Sequence, residues 1–140
     1  MSSQKFIQLD HTGDLRVMVF GKSLKELFEN SAIALFSQIT DISRVNHDST
    51  DSLHVTGIDK EELLVSWLSE LNYMHITEGK LFSKFDISHI SDTKLTAIAF
   101  GEKYNPFRHS SGFEIKAVTF HDLQIEKKDD LWQTRIVFDI

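Results

Sequence analysis

Two helix starts constrain this chain more than any other feature. Ser23-Leu-Lys-Glu26 is a capping box, in which the serine hydroxyl and the glutamate carboxylate each accept an amide donor that the first helical turn leaves unmet. Behind it Leu24, Leu27, Phe28, Ala32, Leu35, Phe36 and Ile39 recur at helical spacing, so the pattern predicts a helix over 24–39 with one apolar face. Asp59 repeats the signal, with Glu62 three residues on and Ile58 and Leu63 at the two positions of a hydrophobic staple. Leu63, Leu64, Trp67, Leu68, Leu71 and Met74 form the stripe of this second helix, and Gly79 is its expected stop. A Leu/Trp stripe at this spacing is a core face rather than a cofactor box.

The remaining periodic segments alternate as strands do: 6–9, 15–20, 53–56, 81–90, 95–100, 113–120, 123–126 and 131–140. Residues 41–51 read as a polar loop in which His47 and Asp48 are solvated. Residues 101–112 hold the only proline and form the longest irregular stretch of the second half, and loops of this kind on a rigid sheet commonly carry function. The order of strands, helix, strand, helix and a run of strands predicts an α+β fold, with a single layer of two helices packed on one largely antiparallel (mixed) β-sheet. At 140 residues, with no repeat, low-complexity tract or linker, the expectation is a single domain spanning 1–140.

Composition removes several classes of function. The net charge of −6 gives no general attraction to nucleic acid or to an anionic membrane, so direct nucleic-acid binding is not expected. The absence of cysteine excludes thiol catalysis, thiolate zinc sites and disulfides together. No apolar signal core follows Met1, and no stretch approaches the length of a membrane span, so the expected location is cytoplasmic with no membrane partner. There is also no phosphate-binding glycine loop and no dinucleotide fingerprint.

The best candidate for a site is the turn Asp10-His11-Thr12-Gly13-Asp14. Its complement is the last dipeptide, Asp139-Ile140, because the chain stops inside an apolar strand-like run instead of a polar tail. If the first and last strands are neighbours in one sheet, Asp14, Asp139 and the Ile140 carboxylate can converge, and a divalent cation would resolve their repulsion. The plainer alternative is that Asp14 merely opens a strand and Asp139 is solvated. In the second half, His109, Lys116 and His121, with Glu102 and Glu114, are the polar residues able to move protons. No serine or threonine can be tied to them by sequence, which points to a binding or helper domain more than to an enzyme. Glu114 and Lys116 also fit a same-face pair on an exposed strand.

Taken together, Asp10-His-Thr-Gly-Asp14, Gly21-Lys-Ser-Leu-Lys-Glu-Leu-Phe-Glu-Asn30, Trp67-Leu-Ser-Glu-Leu71, Gly101-Glu102 with His109, Glu114-Ile-Lys-Ala-Val-Thr-Phe-His121 and Asp139-Ile140 resemble the archease family. The resemblance runs from Phe6 to the last residue. Two positions depart from the family pattern: Gly13 stands where alanine is usual, and Phe120 where tyrosine is frequent. The resemblance implies a non-catalytic activator of an RtcB-type RNA ligase, promoting guanylylation and multiple turnover in tRNA splicing or RNA repair. It implies a metal site at Asp14, Asp139 and Ile140 for calcium or another hard divalent ion, and a ligase-facing surface with His11, Glu102, His109, Lys116 and His121 as candidates. Two other readings remain: a stand-alone metal-dependent hydrolase or nuclease using Asp14, Asp139 and His11 or His109, and a general chaperone-like adaptor.

Overall fold

The computed structural model describes residues 4–9, 13–119 and 123–140. Both predicted helix starts are present. Helix α1 (Leu24–Ile39) opens with the Glu26 amide donating to Ser23 Oγ and the Lys22 amide donating to Glu26 Oε1, each at 3.1 Å. Helix α2 (Lys60–Glu78) opens the same way, with the Glu62 amide on Asp59 Oδ1 at 2.8 Å and the Ile58 amide on Glu62 Oε1 at 3.1 Å. A glycine stands two residues before each cap, and a Cβ there would lie 2.4 Å from the Leu27 nitrogen at Gly21 and 2.5 Å from the Leu63 nitrogen at Gly57. That close approach replaces the expected staple. Ile58 is 80% exposed while Leu63 is fully buried, so it is the Gly57 backbone, not the Ile58 side chain, that closes onto the first turn. Helix α2 runs one turn past Met74, the last residue of its apolar stripe, to Glu78, and stops at Gly79 in the left-handed conformation (φ 68°), as expected.

The strands form two sheets where the sequence pattern suggested one. Strands β1 (Phe6–Leu9), β2 (Asp14–Gly21), β6 (Ala117–Thr119), β7 (Ile125–Lys128) and β8 (Leu131–Asp139) make a five-stranded sheet. Its order is β1-β2-β8-β6, with β7 also on β8. Strands β3 (Ser49–Thr56), β4 (Lys80–Ile90) and β5 (Lys94–Lys103) make a separate three-stranded sheet in the order β3-β5-β4. All pairings are antiparallel. Strand β3 begins at Ser49, earlier than its apolar residues indicate, because its outer end is polar and exposed and therefore carries no alternation. Each helix touches strands of both sheets, and α1 and α2 touch each other. The two-helix α+β architecture on antiparallel sheets is as expected; its division into two sheets was not legible.

A second difference concerns residues 113–116, which do not continue a strand into β6. Helix α1 ends without a glycine cap, at Thr40. Its last carbonyls are met from outside, by the Phe113 amide on Gln38 O at 2.9 Å and the Gly112 amide on Ile39 O at 2.7 Å. The need of a helix end for donors thus outweighs the strand-like alternation of Phe113 and Ile115. The 3-10 turn at Ile42–Arg44 lies within the expected polar loop, where His47 and Asp48 are exposed.

The buried apolar residues form one connected cluster. At its centre Trp67 meets Phe85, and Phe36 meets Phe82, both ring edge to ring face, with Phe85 stacked against Phe36. The Trp67 Nε1–H donates to the Phe28 carbonyl at 3.0 Å, so the indole joins α2 to α1 by both packing and a hydrogen bond. Trp67 and Phe36 are fully buried. Replacing either by alanine should therefore cost about 3–5 kcal/mol in denaturant titration, from lost transfer and the cavity left behind. A loss below about 0.5 kcal/mol, the size of an ordinary surface substitution, would contradict this packing.

Candidate functional site

Strand β2 alternates as period two requires: Leu15, Val17 and Val19 are buried, while Asp14, Arg16 and Met18 face away from them. Strand β8 buries Thr134, Ile136 and Phe138 and turns Asp139 to the same outer face. The two strands pair over their whole shared length, with Leu15 opposite Phe138 and Asp14 opposite Asp139. Side chains directly opposite in an antiparallel pair have Cβ atoms about 4.5–5.5 Å apart. The structure therefore brings Asp14 and Asp139 together at one end of the sheet, and the Ile140 carboxylate follows Asp139 directly.

Two further groups reach this end. Arg16 Nε donates to Asp14 Oδ1 at 3.0 Å, an exposed pair of small energetic weight. The Lys116 amide donates to the Asp139 carbonyl at 2.8 Å, which places this exposed lysine beside the chain end. Among the described residues no group of three His, Cys, Asp or Glu side chains comes together. The donors that the strand register brings together at this end are the carboxylates of Asp14 and Asp139. Such a set is all oxygen, which suits a hard divalent cation. At the turn, Gly13 has φ 131°, a region open to glycine and strained for alanine, so the residue that departs from the family pattern fits the backbone found here.

Of the other site candidates, His11 and His121 lie outside the described residues. Glu102 and His109 form a second cluster, at the end of β5, and it is turned inward. The expectation that His109 faces a partner is corrected: its side chain is fully buried. Its Nδ1 accepts the Asn105 amide at 2.9 Å, so the proton sits on Nε2, which donates to Glu102 Oε2 at 3.0 Å. Glu102 also accepts the Asn46 amide at 2.6 Å and holds the Arg108 guanidinium through both of its carboxylate oxygens. Arg108 in turn donates to the Arg44 carbonyl at 3.2 Å. This is the chemistry of a loop anchor: the bonds drawn by Glu102 and His109 all go to the 102–109 segment and to Asn46. Glu114 is exposed.

Sequence reading missed Asn72, a buried polar residue on α2 whose Nδ2 donates to the Ile115 carbonyl at 2.8 Å and fixes the segment 104–116, a strap across the helix ends, just before Lys116. The only signal was its place one residue past Leu71, on the buried face. Two shallow clefts flank the strap. One of about 310 Å³ lies between His75, Tyr104 and Phe113, and the other borders Asp41 and Ser110. Neither contains the terminal carboxylates. No helix is long and apolar enough to cross a membrane among the described residues.

The fold is an α+β domain already seen in solved structures. The solution structure of Methanobacterium thermoautotrophicum protein 1598 superposes with a TM-score of 0.79 at 35% identity, covering 97% of this chain and 99% of that one. The crystal structure of an archease described as a possible chaperone, from Thermotoga maritima, shares the fold with a TM-score of 0.64 at 23% identity, covering 100% and 99% of the two chains. The Archease protein family (MTH1598/TM1083) matches residues 6–140. Protein archease of Methanosarcina acetivorans is 39% identical over 98% of this chain and 97% of its own length. The chain belongs to the archease family.

The Glu102 cluster yields a pH test. Burial raises the Glu102 pKa, but the Asn46 amide, the His109 ring and the Arg108 charge outweigh it and hold the carboxyl below its ordinary value. A depressed folded-state pKa contributes stability that is present above the ordinary value and lost as pH falls through the lower one. The melting temperature of wild type should therefore exceed that of Glu102→Gln at neutral pH, with the gap closing as pH drops below 4.5. A gap that stays constant through the acid range would contradict the assignment.

Proposed function

We propose that this protein is a non-catalytic protein cofactor of an RtcB-type RNA ligase. It promotes ligase guanylylation and multiple turnover in tRNA splicing or RNA repair, with a divalent cation, calcium by preference, held by Asp14, Asp139 and the Ile140 carboxylate. The observation that carries the reading is the register of β2 on β8, which sets two carboxylates opposite each other beside the chain end. Family membership supports the helper role, as does the description of the Thermotoga maritima relative as a possible chaperone. The Glu102–His109 pair is committed to holding its own loop, which favours a helper role for this chain.

At this end of the sheet the donors are attached to a rigid strand pair and open to solvent. A divalent ion bound there would supply charge next to nucleotide phosphates, the usual contribution of such ions to phosphoryl transfer. Asp14 and Asp139 would hold it, and Lys116 stands beside them to meet an acidic group of the partner. The acidic balance of the chain accords with RNA being held by the ligase and not by its activator.

Asp14→Ala, Asp139→Ala and a one-residue extension after Ile140 should each weaken calcium binding and ligase stimulation by more than about tenfold. The double variant should resemble either single one, because a site missing one donor is already largely empty. With chelator present the sign reverses: neutralising one of the crowded carboxylates relieves repulsion and raises the melting temperature. Charge reversal at Lys116 should lower stimulation of guanylylation and leave the melting temperature unchanged. Equal responses in all variants, or RNA cleavage by the protein without ligase, would overturn the proposal.

A further inference from the structure

One large apolar side chain stands almost wholly in water: Phe107, 96% exposed, at the tip of the turn between Tyr104 and His109. A lone exposed hydrophobic residue is ordinary. The unusual feature is how firmly the backbone beneath it is held. The Phe107 amide donates to Asn105 Oδ1 at 2.9 Å, and the Arg108 and His109 amides both donate to the Asn105 carbonyl, at 3.0 and 2.8 Å. The Asn105 amide is fixed in return by the buried ring of His109, and Pro106 removes one backbone freedom immediately before Phe107. Below the turn, Glu102 grips His109 and Arg108, and Arg108 reaches back to the Arg44 carbonyl. A buried imidazole, a carboxylate and a guanidinium are thus all committed to holding a phenyl ring that makes almost no contact with its own protein.

That arrangement removes the cost that a flexible loop pays on docking. Its charge is also selective. Lys103 and Arg44 are exposed beside the turn, while the Arg108 guanidinium is paired with Glu102, so the exposed cations next to the ring are Lys103 and Arg44, on a chain of net charge −6. A single-stranded RNA platform would need successive aromatic rings along a cationic groove. Here one ring projects from a tip, and the nearest guanidinium is already neutralised by Glu102.

We infer that Phe107 is a preorganised anchor for a protein partner, inserting into an apolar pocket rimmed by carboxylates. The inference rests on the proposed function for the identity of that partner, the ligase, and names a contact on the three-stranded-sheet side, separate from the terminal carboxylates on the other sheet.

The test uses the full chain and the purified RtcB-type ligase, with affinity read by biolayer interferometry at two salt concentrations. Phe107→Ala should raise Kd about tenfold to thirtyfold, as loss of a central aromatic anchor does. Its melting temperature and calcium response should equal those of wild type. Phe107→Leu should recover part of the affinity, and Lys103→Glu should slow association chiefly at low salt. Unchanged affinity of Phe107→Ala for a ligase that wild type binds would overturn this inference alone. So would a loss confined to a single-stranded RNA probe measured in parallel. Failure of wild type to bind the ligase would remove both the inference and the function it rests on.

Discussion

The pairing of β2 with β8 is the constraint on which the rest depends. It joins the beginning of the chain to its end across eight residue pairs, Asp14 to Gly21 against Asp139 to Trp132. One face of the pair supplies Leu15, Val17, Val19, Ile136 and Phe138 to the core. A slip of β2 by one residue would exchange Leu15, Val17 and Val19 for Asp14, Arg16 and Met18, and a packed interior cannot accept the two charges. The register is therefore fixed by hydrophobic burial, and the opposition of Asp14 and Asp139 follows from it at no separate cost. Strand β1 and the short strands β6 and β7 then attach to the two sides of this pair.

The second constraint is the treatment of the helix ends. Their N-termini are closed locally, by two equivalent boxes preceded by glycine. Their C-termini are joined by one strap: the Tyr104 amide donates to the Gly79 carbonyl at 2.7 Å, and the Gly112 and Phe113 amides meet the last carbonyls of α1. Between these attachments sits the Glu102–Arg108–His109 cluster, and just beyond them Asn72 fixes Ile115. The strap thus links both helices and both sheets before delivering Lys116 to the chain end. Residues that look like acid–base candidates are the rivets of that connection.

What could be read from sequence was whatever local chemistry determines. The limits of α1, the start of α2 and the inward set on β2 all follow from caps and period two, whereas the meeting of Asp14 with Asp139 was conditional on a strand adjacency that the register of β2 on β8 supplies. What could not be read depends on distant partners. Alternation does not say which sheet a strand joins, so β3, β4 and β5 were not separable from the rest. Phe113 and Ile115 alternate as a strand does, yet the donors α1 lacks at its end take those residues out of the sheet. His109 is a polar residue in a loop and reads as exposed; it is the Asn105 and Glu102 groups on either side of its ring that bury it. Ile58 fails as a staple because Gly57 occupies the approach to Leu63.

The central claim is that the register of β2 on β8 creates a cation site from two aspartates and the chain terminus. Calcium titration followed by the carboxyl carbon resonances of labelled protein tests it most directly, because each donor reports separately. The account predicts that the Asp14, Asp139 and Ile140 carboxyl signals shift together and saturate at one equivalent, while Glu102, Glu114 and Asp51 remain still. A shift confined to other carboxylates, or none at these three with calcium in excess, would contradict it.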